Sequence, residues 1–256
     1  MELVKQFGDV YEKTDNYKLL TNEITTLRKK EKDVLLIYGG SFNPITPYHM
    51  TVALTSIKYI QSKYMNVIGC LLMHVSSKYN KKGLKDSKLR EEITSLYLDS
   101  LKKKNKMHDL INICTFESVQ ERYVSTALTL MYFSQLFPNT IIINIMGMDQ
   151  YDMLVGGKYT YYELLNYRLF MIHPRITDIC KKVPEQKIVS EYDKSEIIFQ
   201  KEQFIFLDNS FCKYDTDMNY GSSTMIRENA CEEQREKLIK IYDDDTVVAL
   251  ILYYYC

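Results

Sequence analysis

The sequence predicts an α/β protein built on a doubly wound parallel sheet, and three observations predict it. From Val34 onward, short β-branched and apolar runs alternate with longer amphipathic stretches, the pattern of strands joined by helical crossovers. The first run ends on a glycine pair, Gly39-Gly40, and helix-like sequence resumes near Pro47. Polar and charged residues gather just after the strand candidates, where ligands bind in open α/β sheets.

Residues 1–33 are helix-like, with Leu19, Leu20, Ile24 and Leu27 at helical spacing; they read as an N-terminal helical extension. Residues 34–256 read as a single domain. Strands are expected at 34–38, 67–73, 110–114, 141–146, 169–172 and 204–207, with helices at 48–63, 87–103, 125–137 and 161–165 between them. Residues 175–203 are polar, carry Pro184 and many lysines and glutamates, and break the periodicity; they read as an insertion before the last strand. A helix is expected over 222–242 and a final one over 243–255, whose acidic start suits the helix dipole. No internal repeat is present.

Composition narrows the function. The 256 residues are 46% hydrophobic, enough for a substantial core. Lys+Arg and Asp+Glu each number 33, and without a basic excess no nucleic-acid partner is expected. The six cysteines show no Cys-x-x-Cys spacing and the first 20 residues lack an apolar centre. Free thiols and an intracellular protein, cytoplasmic or nuclear, are therefore expected. The longest apolar run, 247–255, falls far short of the roughly 20 residues that span a bilayer, so no membrane partner is expected. Oligomeric state leaves no trace in the sequence, and a homo-oligomer is compatible with it.

The chemistry begins at Tyr38-Gly39-Gly40-Ser41-Phe42-Asn43-Pro44-Ile45-Thr46-Pro47-Tyr48-His49. Glycines let backbone approach an anion, and free N–H groups at a helix start complement negative charge. His49, just inside that helix, is placed to donate to a phosphate, so the segment points to a nucleotide phosphate. A second anion site is expected at Ser222-Ser223-Thr224-Met225-Ile226-Arg227, hydroxyls at a helix start with an arginine one turn on. A lysine-rich run, residues 75–84, follows the second strand, an aromatic and polar run, 116–126, the third, and Gly147-Met148-Asp149 the fourth. The run from Asp215 to Asn219 begins like a calcium loop, but Tyr220 stands where glycine is required.

Gly39-Gly40-Ser41-Phe42-Asn43-Pro44 followed by Thr46-x-x-His49 closely resembles the nucleotidylyltransferase superfamily signature, whose general form is (His/Thr)-x-x-His. Its wording looks most like the nicotinamide/nicotinate mononucleotide adenylyltransferases. The resemblance runs in order from Val34 to the C-terminal helices and implies a Rossmann-like nucleotidylyltransferase fold with C-terminal helices. It implies that Tyr79 and Lys81 hold the mononucleotide, with Arg90 near the same pocket. Where the family has Trp-Glu-Ser and a second tryptophan three residues before a threonine, this chain has Phe116-Glu117-Ser118, Tyr123 and Thr126. The chain has no tryptophan, so Tyr123 would stack on the pyridine ring, a contact tyrosine can make with a cationic pyridinium. Gly147 and Asp149 match the family's Gly-x-Asp beside the adenosine ribose, and Ser223, Thr224 and Arg227 match its grip on the ATP β- and γ-phosphates. Tyr159 aligns with a family tryptophan only across a gap and is given no role.

The resemblance implies adenylyl transfer from ATP to nicotinate or nicotinamide mononucleotide, giving the dinucleotide and pyrophosphate in NAD biosynthesis. His49, Thr46 and Arg227 would be the catalytic residues. ATP would be bound by Gly39, Gly40, Ser41, His49, Gly147, Asp149, Ser223, Thr224 and Arg227, and the mononucleotide by Ser41, Phe42, Tyr79, Lys81, Arg90, Tyr123 and Thr126. Magnesium would ride mainly on substrate phosphates, with no protein metal site. Three other readings are open to these residues: a sister enzyme (a pantetheine-phosphate adenylyltransferase or a cytidylyltransferase), an aminoacyl-tRNA synthetase fragment, which neutral charge and short length disfavour, and a catalytically silent interaction protein.

Overall fold

The structure, a computed structural model, describes residues 33–63, 65–165, 168–174, 187–207 and 222–256. The helical reading of residues 1–32, part of the polar 175–203 segment, Gly221, the calcium-like run, Cys180 and Cys212 lie outside them. A six-stranded sheet has the order β3-β2-β1-β4-β5-β8. Its strands are β1 (Asp33–Gly40), β2 (Asn66–His74), β3 (Ile111–Cys114), β4 (Ile141–Gly147), β5 (Leu169–His173) and β8 (Phe204–Phe206). The recorded ladders β1/β4, β2/β3, β4/β5 and β5/β8 are all parallel. The strand order reverses between β1 and β4, the switch point at which doubly wound sheets place their ligands. Flanking helices are α1 (Pro47–Ser62), α2 (Ser87–Lys103), α3 (Thr126–Leu136), α4 (Met148–Val155), α5 (Tyr162–Leu165), α6 (Ser223–Glu228), α7 (Arg235–Tyr242) and α8 (Asp245–Tyr255). Among the described residues no helix is long and apolar enough to cross a membrane.

The chain divides into two compact units that interleave in sequence. The first comprises Met1–Tyr38, Ser56–Gly69 and Val124–Cys212. Ile141, Ile143, Leu169, Phe170, Met171 and Ile172 are fully buried there, as strands covered on both faces require. An aromatic cluster of Tyr151, Phe170, Phe199, Phe204 and Phe206 packs edge-on and stacked, with centroids 5.3–6.1 Å apart. The polar 187–200 stretch contains a short antiparallel hairpin, β6 (Ile188–Val189) with β7 (Glu196–Ile197). Its strands, two residues each, are too short to show alternation.

The second unit comprises Gly39–Thr55, Cys70–Tyr123 and Lys213–Cys256. Helix α2 buries Arg90, Ile93, Thr94, Tyr97, Leu98 and Leu101, the three- and four-residue spacing of one apolar face. Its N-cap is Asp86, which accepts from the Lys88 N–H. The Tyr97 ring meets Tyr242 of α7 edge-on at 5.0 Å. The helix expected over 222–242 is broken. Asn229 caps α6, Cys231 is extended at φ −141°, and a 3-10 turn (Glu232–Gln234) restarts the chain before α7. Asparagine competes for backbone hydrogen bonds and suits a cap better than a helix interior. The last helix opens two residues later than expected because the Asp244 carboxylate caps it by accepting from the Val247 N–H.

Each unit buries a histidine. The His173 Nε2 lies 2.8 Å from the Ser56 hydroxyl in the first, and the His74 Nε2 lies 2.8 Å from the Thr94 hydroxyl in the second. Burial pulls both imidazoles down to about 3, and the Arg90 charge adds to the effect at His74. Below pH 6.5 the unfolded chain takes up these protons and the folded chain does not. Their contribution is therefore complete above pH 6.5 and drains as pH falls toward 3, at up to about 1.4 kcal/mol per pH unit for each. The urea midpoint is expected to drop between pH 6.5 and 5, and His173→Asn to remove one of the two contributions. A midpoint that stays flat over that interval refutes both assignments.

Candidate active site

Strand β1 delivers the chain to Gly39-Gly40, and the Val75 N–H donates to the Gly40 carbonyl at 3.1 Å. A Cβ on Gly40 would stand 2.9 Å from the Phe42 ring, whereas one on Gly39 would meet nothing within 4 Å. Glycine at 40 is thus required by the fold, and the open side of Gly39 leaves room for a ligand's close approach. Phe42 is held at φ +38°, a conformation most side chains avoid. Its ring is 1% exposed and lies edge-on to both His49 and His74, each 5.1 Å away; this packing holds the turn.

Helix α1 begins at Pro47, whose missing N–H is no loss in a first turn. The Thr46 carbonyl accepts from the Met50 N–H, and the Thr46 N–H donates to His49 Nδ1 at 3.1 Å. The Thr46 hydroxyl is 2.7 Å from the same nitrogen. A backbone N–H can only donate, so Nδ1 is an acceptor and His49 carries its ring proton on Nε2. The spacing Thr46-x-x-His49 therefore fixes a tautomer as well as a position.

The second strand's loop meets this turn. The Lys81 ammonium donates to the Ser41 hydroxyl at 2.9 Å. Tyr79 and Tyr123, both expected beside the mononucleotide, stack on one another at 5.1 Å with 28° between their planes; they are 37% and 47% exposed. Arg90 behaves differently from the expectation. It is fully buried, and Nε, Nη1 and Nη2 donate to the carbonyls of Lys85, Ser41 and Val75 at 2.8, 2.6 and 2.7 Å. Its guanidinium braces the wall of the turn from behind, and burial draws its pKa below the ordinary arginine value.

The C-terminal helices close on the same turn. Arg227 Nη1 donates to the Asn43 carbonyl at 2.6 Å and Nη2 to the Thr224 hydroxyl at 3.1 Å. The Ser223 hydroxyl donates to the Pro44 carbonyl at 2.8 Å, and the Ser222 oxygen accepts from the Met225 N–H. The two serines thus serve as staple and cap, and Arg227 with Thr224 is what this segment presents as an anion grip. Gly147, Asp149 and Thr126 belong to the first unit. Gly147 caps α4, and a Cβ there would meet the Asp149 carboxylate at 2.6 Å; Thr126 opens α3 behind its cap, Ser125. Sequence reasoning missed Asn43, Lys85, Tyr242 and Tyr255. The Asn43 side chain is buried and bonds to the Gly83 carbonyl, the Lys85 N–H and the Tyr255 hydroxyl. Its one sequence signal was its place inside the Gly-Ser-Phe-Asn-Pro turn. Cys70, Cys114, Cys231 and Cys256 are free thiols.

A strand order that reverses at β1/β4, with a glycine turn leading into Thr46-x-x-His49, defines a nucleotide-binding α/β protein of the doubly wound class. A cytidylyltransferase-like family model matches residues 37–229, and the chain belongs to that family. Two solved structures of Plasmodium falciparum nicotinic acid mononucleotide adenylyltransferase share the fold. One, complexed with NaAD, is 19% identical with a TM-score of 0.64, and the other, complexed with APC, is 20% identical with a TM-score of 0.61. Each match covers 88% of this chain and 96% of the other. No curated protein sequence matches the chain.

Proposed function

We propose that the chain transfers the adenylyl group of ATP to nicotinate mononucleotide, or to its nicotinamide counterpart, releasing pyrophosphate. The observation that carries this reading is the Thr46 N–H on His49 Nδ1, which makes Nε2 a proton donor at a glycine turn and helix start. A phosphate there meets backbone N–H groups, a neutral donor and the positive end of a 16-residue helix. The mononucleotide phosphate, with a second pKa of about 6, is already largely dianionic at neutral pH. Its oxygen attacks the ATP α-phosphorus, and the bond to the β-phosphate breaks with its electron pair leaving on pyrophosphate. No protein nucleophile or general base is needed; catalysis is positioning and charge neutralisation by His49, Thr46 and Arg227.

In this reading Gly39, Gly40, Ser41 and Thr224 hold ATP, and Ser41, Tyr79, Lys81 and Tyr123 hold the acceptor. Gly147 and Asp149 keep the ATP role, and Thr126 the acceptor role, that the resemblance implies. Ser223 and Phe42 serve these ligands by fixing the turn through the Pro44 carbonyl and the buried ring. Arg90 serves the acceptor through Ser41. Among the described residues no group of three His, Cys, Asp or Glu could hold a metal ion. Magnesium, carried mainly by substrate phosphate oxygens and water, would supply charge neutralisation there. The fold likeness to the Plasmodium falciparum nicotinic acid mononucleotide adenylyltransferase makes nicotinate mononucleotide the first acceptor to try.

Pyrophosphate release with ATP, Mg²⁺ and a panel of acceptors tests the reading. Release with a pyridine mononucleotide supports it; release only with phosphopantetheine, or only with CTP as donor, assigns a sister transferase. Silence across the panel leaves an interaction protein on this fold. Tyr123→Leu is expected to raise KM for the mononucleotide roughly tenfold, the worth of one aromatic stack, with KM for ATP unchanged. The reverse order removes Tyr123 from the acceptor site.

A further inference from the structure

Tyr255 stands on α8, far along the sequence from the reacting turn, yet its hydroxyl donates to Asn43 Oδ1 at 2.7 Å. Asn43 joins three segments of the second unit. Its Nδ2 donates to the Gly83 carbonyl at 2.9 Å, Oδ1 also accepts from the Lys85 N–H at 3.2 Å, and its carbonyl accepts from Arg227. The amide thus ties the turn to the loop that carries Lys81, and the backbone of the same residue ties it to the helix that carries Arg227. Tyr255 completes the set on the side-chain oxygen. Its ring lies 5.5 Å beneath the Lys85 ammonium, and its ionisation is coupled to both Arg90 and Arg227, which oppose the upward push of burial. Two residues along the turn, the Ile45 carbonyl accepts from the Tyr242 hydroxyl at 2.6 Å.

We propose that Tyr255 is a positioning residue that, through Asn43, keeps the Ser41–Thr46 turn in register with the Lys81 loop on one side and the Arg227 helix on the other. It touches neither substrate in this account, and its catalytic consequence rests on the adenylyl-transfer reading above. The Asn43 oxygen holds two donors, and losing the tyrosine's leaves the amide free to rotate away from Gly83 and Lys85. Both half-sites then lose their common reference, so the reacting groups meet less often in line, while each substrate still finds its own contacts.

The test is Tyr255→Phe, which keeps the ring and the Lys85 contact and removes only the oxygen. Amide hydrogen exchange of the ligand-free protein should quicken across residues 41–49 and 81–85, with the first unit's strands β4 and β5 unchanged. In turnover, kcat should fall about tenfold, the scale of one lost hydrogen bond, with KM for ATP and for the mononucleotide within about twofold of wild type. In an Asn43→Ala background the same substitution should change kcat by less than about twofold. Exchange unchanged in both segments, or slackened evenly over the whole chain, overturns the proposal. If the wild-type protein turns over no acceptor, the functional reading fails on its own and hydrogen exchange still decides the role of Tyr255.

Discussion

His49→Ala should lower kcat by about 100- to 1000-fold, the usual consequence of deleting one donor aimed at charge that develops in the transition state. The size follows from geometry. Thr46 fixes Nδ1 as the acceptor, so Nε2–H is the one donor the ring can offer, and alanine removes it while leaving the backbone N–H groups of the helix start in place. Stability should fall by only about 1–2 kcal/mol, because the half-buried imidazole gives up the edge of Phe42 and its hydrogen bonds with Thr46. Thr46→Val sharpens the interpretation: it removes the hydroxyl and keeps the N–H that sets the tautomer. Its kcat should fall only about tenfold. Pyrophosphate release at saturating substrates measures both. Near-normal turnover by His49→Ala would show that this imidazole is absent from the reacting centre, and equal losses in the two variants would show that the hydroxyl, and not the ring, does the work.

What the sequence made legible follows from how local each feature is. Strands β1, β4 and β5 are covered on both faces, so their continuous apolar runs could be read directly. Helix α2 was legible to the residue because Asp86 and Ser87 open it and its apolar spacing is regular. Thr46-x-x-His49 spans one turn, and its geometry follows from the sequence interval alone. Features set by long-range packing were hidden. The resemblance places Arg90 near the acceptor pocket, but nothing near it in the sequence shows that carbonyls of residues 41, 75 and 85 converge on it. Tyr242 and Tyr255 are two of 22 tyrosines, distinguished only by the carbonyl and amide oxygens their hydroxyls reach. The break at 229–231 depends on a capping choice that helix periodicity does not register, and the β6–β7 hairpin has strands too short to show alternation.

Arg90→Leu should cost about 3–5 kcal/mol, much of the 5–15 kcal/mol that holds a typical domain together. Leucine fills part of the space but leaves the carbonyls of Ser41, Val75 and Lys85 without their donors, each loss worth about 1–3 kcal/mol less whatever water recovers. Ser41 and Val75 follow β1 and β2, so the damage falls where the reacting turn leaves the sheet, and activity should decline with stability. Arg90→Lys separates the charge from the fork. No ion pair to Arg90 exists among the described residues, and burial works against its charge; its worth therefore lies in directed hydrogen bonds. A lysine ammonium keeps the charge but cannot span three carbonyls that a planar guanidinium reaches together. The lysine variant should recover less than half of the loss seen with leucine. Urea midpoints followed by circular dichroism report both values. Full recovery by lysine would mean that the positive charge matters and the fork does not, and a leucine loss below about 1 kcal/mol would mean that water satisfies the carbonyls and Arg90 braces nothing.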